Sequence, residues 1–112
     1  MKEMIRNKLI EAAKMKDVVC YSEIGELLDL SMDNPYHRQE IGRILGEIST
    51  EEHQAGRPLL SAVVVHKENH QPGKGFFQLA RELGKQKPDE NDDVFFAAEL
   101  QKVFDEWAKE KD

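Results

Sequence analysis

The sequence predicts a mostly helical α+β domain, and three observations carry that expectation. Apolar residues recur at helical spacing in three long stretches, around residues 3–16, 35–48 and 96–107. Residues 59–66 form the clearest strand candidate, a valine-rich run of the kind that is buried on both faces. The composition, 39% hydrophobic and 34% charged over 112 residues, is that of one globular domain with one modest core.

The elements follow in order. In residues 3–16, Ile5, Leu9, Ala12 and Ala13 share a helical face, with Lys and Arg between them. Residues 17–21 (Asp-Val-Val-Cys-Tyr) are short and β-branched, hence extended, and Ser22 is placed to cap a second helix over residues 23–28. Ile24, Leu27 and Leu28 give that helix its apolar face, and Gly25 weakens it. After a loop at 29–33, Asn34-Pro35 is a strong start signal, with Asn as N-cap and Pro in the first turn. Ile41, Ile44, Leu45 and Ile48 then make one stripe, and Gly42 and Gly46 are expected to permit close helix packing. Ser49-Thr50-Glu51-Glu52 has the form of a capping box, which suggests a break and restart of the helix before Gly56.

Beyond the 59–66 strand, residues 67–73 read as a turn. Lys74 to Phe77 either returns as a strand or starts a helix; Phe76 to Leu83 fits a short helix, with Gly84 at its C-terminal end. Lys85 to Asn91 is a linker, and Phe96, Leu100, Val103, Phe104 and Trp107 line one face of a last helix. A short strand before two helices, followed by a small β-hairpin, is the plan of a winged helix, here with an extra C-terminal helix. In that plan the third helix is offered to a DNA groove and the hairpin is the wing.

The charge is unevenly distributed. The net charge is −6, yet the first 87 residues sum to zero, and the acidic excess lies in residues 88–112, which hold nine acidic and three basic residues. Residues 58–87 carry five basic and two acidic residues. Within the single domain 1–112, residues 1–87 are thus expected to be the winged-helix-like core and 88–112 an acidic linker and amphipathic helix. A cytoplasmic protein is expected. Leu59 to Val65 is the longest nearly apolar run, far short of the roughly 20 residues of a membrane span, and the N-terminus lacks an apolar leader. The single cysteine, Cys20, allows no internal disulfide and no cysteine metal cluster.

Two resemblances accompany this reading. Val18-Val19-Cys20-Tyr21-Ser22-Glu23-Ile24-Gly25, then Ile41-Gly42-Arg43-Ile44-Leu45, then Pro58 to Phe77, resemble the DNA-binding domain of the alkylguanine-DNA alkyltransferases and alkyltransferase-like proteins. The resemblance implies a winged-helix fold and a DNA surface. It does not imply alkyl transfer, which needs a reactive thiolate. Pro58-Leu59-Leu60-Ser61-Ala62-Val63 has no cysteine, histidine or arginine, Cys20 does not match the nucleophile, and the position of the family's base-flipping arginine falls at Gln39. A second pattern resembles a group of small uncharacterised bacterial proteins. It runs from Gly56-Arg57-Pro58-Leu59-Leu60-Ser61-Ala62-Val63-Val64-Val65 to Pro72-Gly73-Lys74-Gly75-Phe76-Phe77-Gln78-Leu79-Ala80-Arg81-Glu82-Leu83-Gly84, with a late helix ending in Trp107. It implies a stable bacterial domain and no activity.

No catalytic residue, metal ligand set or cofactor site is expected. His66 and His70 lie four apart, but His37 and His53 are distant and no thiolate pair is present. Pro72-Gly73-Lys74-Gly75 lacks the spacing of a phosphate loop and reads as a turn. Serine chemistry at Ser22, between Tyr21 and Glu23, has no base at an identifiable spacing. The expectation is a non-enzymatic module that contacts double-stranded DNA through helix 35–48 and the 66–75 turn, with Arg38, Gln39, Arg43, Lys67 and Lys74 as nucleic-acid-binding residues. Arg43 has a competing role, pairing with Glu40 or Glu47 on its own helix. The alternative is a protein-interaction module, a regulatory subunit or inhibitor in a bacterial assembly. It would meet a basic partner, or a second copy of itself, through the acidic C-terminal helix.

Overall fold

The 3₁₀ turn Leu60–Val63 is buried at the centre of the molecule, with the helices Lys2–Lys14, Pro35–Gln54 and Asp92–Ala108 packed against it. The structure is a computed structural model that describes residues 2–108. Its elements are α1 (Lys2–Lys14), β1 (Val19–Cys20), α2 (Tyr21–Leu27), α3 (Pro35–Gln54), the 3₁₀ turn, β2 (Val64–Val65), α4 (Lys74–Glu82) and α5 (Asp92–Ala108). The domain is therefore mostly helical with a small sheet. None of the described helices is long and apolar enough to cross a membrane.

The sheet differs from the predicted one. β1 and β2 pair in parallel, Val19 opposite Val64 and Cys20 opposite Val65. No hairpin forms at residues 66–77, because Lys74 already starts α4. The wing position is instead a loop, folded on itself by His66 N–H to Gln71 C=O at 2.8 Å and His70 N–H to His66 C=O at 2.9 Å. The predicted 59–66 strand is a 3₁₀ turn followed by two strand residues. An apolar run buried on every side has no periodicity to distinguish the two.

The helix ends follow sequence chemistry more closely. Asn34 caps α3, its Oδ1 accepting from the N–H groups of Tyr36 and His37, with Pro35 in the first turn. α3 does not break at Ser49–Glu52; it runs unbroken to Gln54. Ser22 is not the cap of α2. Cys20 holds that position, and its N–H donates to the Glu23 carboxylate at 2.8 Å.

The helices α1 to α4 end alike, on a left-handed residue followed by a six-residue backbone bond: Lys16, Asp29, Gly56 and Gly84 are the left-handed residues. Asp17, Leu30, Arg57 and Lys85 donate back to Ala12, Gly25, Glu52 and Ala80.

The core joins all five helices. Ile5, Leu9 and Ala13 of α1, Ile24 of α2, Ile41, Ile44, Leu45 and Ile48 of α3, Leu59, Leu60 and residues 62–65, Phe76, Phe77 and Ala80 of α4, and Phe95, Phe96, Val103 and Trp107 of α5 form one cluster. The predicted face of the last helix holds, with Leu100 and Phe104 half-buried at its edge. Buried polar side chains fasten this helix and its neighbours. The Glu99 carboxylate accepts the Leu59 N–H at 2.8 Å and lies 3.2 Å from the Lys85 ammonium. Glu52, also buried, pairs with Arg6 at 2.7 Å and with Arg57. Both guanidinium groups lie over the Trp107 ring, 5.6 and 5.8 Å from its centre. Ser49 and Ser61 are joined hydroxyl to hydroxyl at 2.7 Å across α3 and the 3₁₀ turn.

Candidate functional site

The first turns of α3, the start of α2 and the 66–75 segment meet around a cavity of about 290 Å³. Each side is positioned by a local cause. The Asn34 cap sets where α3 begins, and so brings Arg38 to the rim. The Arg38 side chain is held there by Nη1 donating to the Met32 carbonyl at 2.7 Å. On the opposite side Tyr21, at the start of α2, accepts the Gly73 N–H on its hydroxyl at 2.9 Å, which ties the end of the loop to that helix. The Tyr21 ring lies against the His66 imidazole, 4.6 Å between centroids and tilted by 32°. Burial pushes the Tyr21 phenol above its usual pKa, against the lowering effect of the Gly73 hydrogen bond. Phe76 and Leu79 of α4 and Leu45 of α3 complete the apolar wall, and Gly42, Gly46, Gly73 and Gly75 border it.

The residues expected at a DNA surface fall into three groups. Arg38 stands at the cavity rim, and Lys67 and Lys74 are exposed on the loop and at the first position of α4. Among the described residues no ion pair holds any of the three. Gln39 is exposed on α3, one position from Arg38, and does not line the cavity. Arg43 is engaged on its own helix. Its guanidinium donates to both Glu40 oxygens, at 3.0 and 2.6 Å, and to Glu47. Hydrogen bonding to Arg43 holds the Glu40 carboxyl below its usual range, and the same contacts raise the Arg43 guanidinium further.

Sequence reasoning did not single out the cavity itself, nor Tyr21 and His66 as its lining. The one available signal was a pair of glycines four apart in the interior of a helix. Close packing, the expected reason for them, is not what they do: a Cβ built on Gly42 or Gly46 meets nothing within 4 Å. Among the described residues no three His, Cys, Asp or Glu side chains converge as metal ligands would. No family model matches the chain, and neither the curated proteins nor the solved structures give a match.

Proposed function

We propose that the chain is a non-enzymatic binding module that contacts double-stranded DNA through the N-terminal half of α3 and the 66–75 segment. The observation that carries this reading is the shared face: Arg38 and the 66–75 segment border one cavity. Lys67 and Lys74 lie within that segment, without carboxylate partners among the described residues. The winged-helix likeness of the sequence supports the same face, with a folded loop in place of the wing. Phosphate contacts of this kind are sequence-independent and salt-sensitive. Arg43 contributes less than its position on α3 suggests, since two carboxylates already neutralise it.

The test is fluorescence anisotropy of a labelled duplex across a salt series with the full chain. Replacing Arg38, Lys67 or Lys74 by Ala is expected to lower the log–log salt slope by about one each, whereas Arg43→Ala changes it by less. Absence of binding by the folded chain at low salt would remove the reading. A cytoplasmic location accompanies it, checked by fractionation of cells producing a tagged chain.

A second reading, a protein-interaction or regulatory subunit, is favoured by one observation. The outer side of α5 presents Asp93 and Asp105 together with Val94, which is 63% exposed. Such a surface suits a basic partner or a second copy. Sedimentation over a range of concentrations tests the second copy, and a single monomeric species at every concentration would remove it. Val94→Lys together with Asp93→Lys tests the partner, and is expected to abolish cross-linking to a basic protein.

A further inference from the structure

Three of the four glycines around the cavity differ in kind from Gly25; the fourth, Gly73, lies close against Tyr21. A Cβ on Gly25 would lie 2.8 Å from the Leu30 carbonyl oxygen, so that position needs glycine for close approach. At Gly42, Gly46 and Gly75 the same atom would meet nothing within 4 Å. Gly42 and Gly46 stand in the interior of α3, where glycine is disfavoured relative to alanine. Neither has a positive φ, and no neighbouring atom among the described residues comes close enough to exclude a Cβ. What they share is the cavity, whose volume their missing side chains leave open.

The chemistry of the lining narrows what fits there. Met32, Leu45, Phe76 and Leu79 give apolar walls, and the Tyr21–His66 pair, its rings tilted by 32°, gives an aromatic one. The chain has 22 acidic residues against 16 basic, yet among the described residues no acidic side chain lines the cavity, and Arg38 is the one permanently charged group there. The Met32 carbonyl engages only one of the guanidinium nitrogens of Arg38, which leaves donors for a carboxylate. A volume of about 290 Å³ is at the small end for ligand sites and suits one or two fused rings.

We propose that the cavity between α3 and α4 binds a small aromatic carboxylate, with its ring between Phe76 and the Tyr21–His66 pair and its carboxylate on Arg38. The 66–75 segment borders both this site and the proposed duplex surface, and of the side chains assigned to the duplex only Arg38 lines the cavity. The expected weakening on loss of the charge is about tenfold, the ordinary scale for one charge-assisted pair at a rim.

The experiment is an amide-resolved NMR titration of the ¹⁵N-labelled full chain with 2-naphthoate, alongside the neutral 2-naphthylmethanol. The expected result is saturable shifts at Gly42, Gly46, Gly73 and Gly75, about tenfold weaker for the alcohol. Arg38→Met is expected to bring naphthoate down to the affinity of the alcohol. Gly46→Leu, which fills the cavity with a good helix former, is expected to abolish binding of both while leaving the melting temperature unchanged or higher. Should that variant fail to fold, Gly42→Ala with Gly46→Ala is expected to weaken naphthoate at least threefold. Shifts that do not saturate or that cluster elsewhere would overturn the proposal. So would equal affinity for acid and alcohol, or binding indifferent to Gly46→Leu. Replacing Lys67 and Lys74 by Ala changes the duplex titration and leaves the naphthoate titration as it was, so the two readings fail separately.

Discussion

Glu99 offers the most direct test of how the C-terminal helix is held. Its carboxylate is 1% exposed and accepts the N–H of Leu59, a residue with no solvent exposure. Glu99→Ala leaves that amide without a partner, which costs about 1–3 kcal/mol. Loss of the side-chain methylenes against the core adds about 1 kcal/mol. The lost ion pair adds less, about 0–1 kcal/mol, because the Lys85 side chain keeps 22% of its exposure and can turn to water. The expected total is about 3 kcal/mol, or roughly 12 °C in melting temperature for a domain of this size. Glu99→Gln retains an acceptor for Leu59 and loses the charge, so about 1 kcal/mol is expected. Urea denaturation followed by the fluorescence of Trp107, the one tryptophan of the chain, measures both variants. A Glu99→Ala cost below 1 kcal/mol would refute the argument. A Glu99→Gln variant as damaged as Glu99→Ala would show that the charge, and not the acceptor, holds the helix.

Four further outcomes are expected. Gly25→Ala drives a Cβ against the Leu30 carbonyl and should destabilise by about 1–3 kcal/mol in the same urea assay. Lys16→Gly should stabilise by about 1 kcal/mol, because Lys16 ends α1 at φ 56°, where a side chain is disfavoured; thermal melts read the gain. Trp107→Ala should cost about 3–5 kcal/mol, seen by far-ultraviolet circular dichroism, since the ring is buried beneath Arg6 and Arg57. The Tyr21 phenol has a raised pKa in the folded state, so its stabilising contribution is complete below about pH 10 and is lost as the pH rises through the folded value. Alkaline unfolding should therefore begin at higher pH in Tyr21→Phe than in the parent chain; earlier unfolding of the variant would contradict this sign.

Features decided within a few residues were legible in the sequence. Asn34-Pro35 starts α3 and Gly84 ends α4, because caps depend on side chains one to three positions away. The face of the last helix was legible because the core lies on one side of it. What escaped depends on neighbours far along the chain. The role of Gly25 requires the turn at Leu30, and the roles of Gly42 and Gly46 require the 66–75 segment, so the two kinds of glycine are indistinguishable in sequence. The Tyr21 hydroxyl meets the Gly73 N–H across 52 residues, and no local pattern announces that contact. Lys74 to Phe77 was open between strand and helix because both aromatic rings are buried, which suits either; Gly73 in extended conformation starts the helix.

The charge profile shows why linear counting misleads about surfaces. Residues 88–112 hold the acidic excess, but one of their carboxylates, Glu99, is inside and matched by Lys85 from the neutral part of the chain. Arg6 and Arg57 are likewise committed to the buried Glu52. The basic residues left facing water near the cavity are then Arg38, Lys67 and Lys74, fewer than the segment totals suggest. The boundary at residue 87 also does not divide the core, because α5 supplies Phe95, Phe96, Val103 and Trp107 to the same cluster as α1. Deleting α5 would expose that cluster rather than unmask a DNA surface. The influence of its acidity on duplex binding therefore has to be read from substitutions on its outer side, at Asp93 above all, where the carboxylate is exposed and the core is left intact.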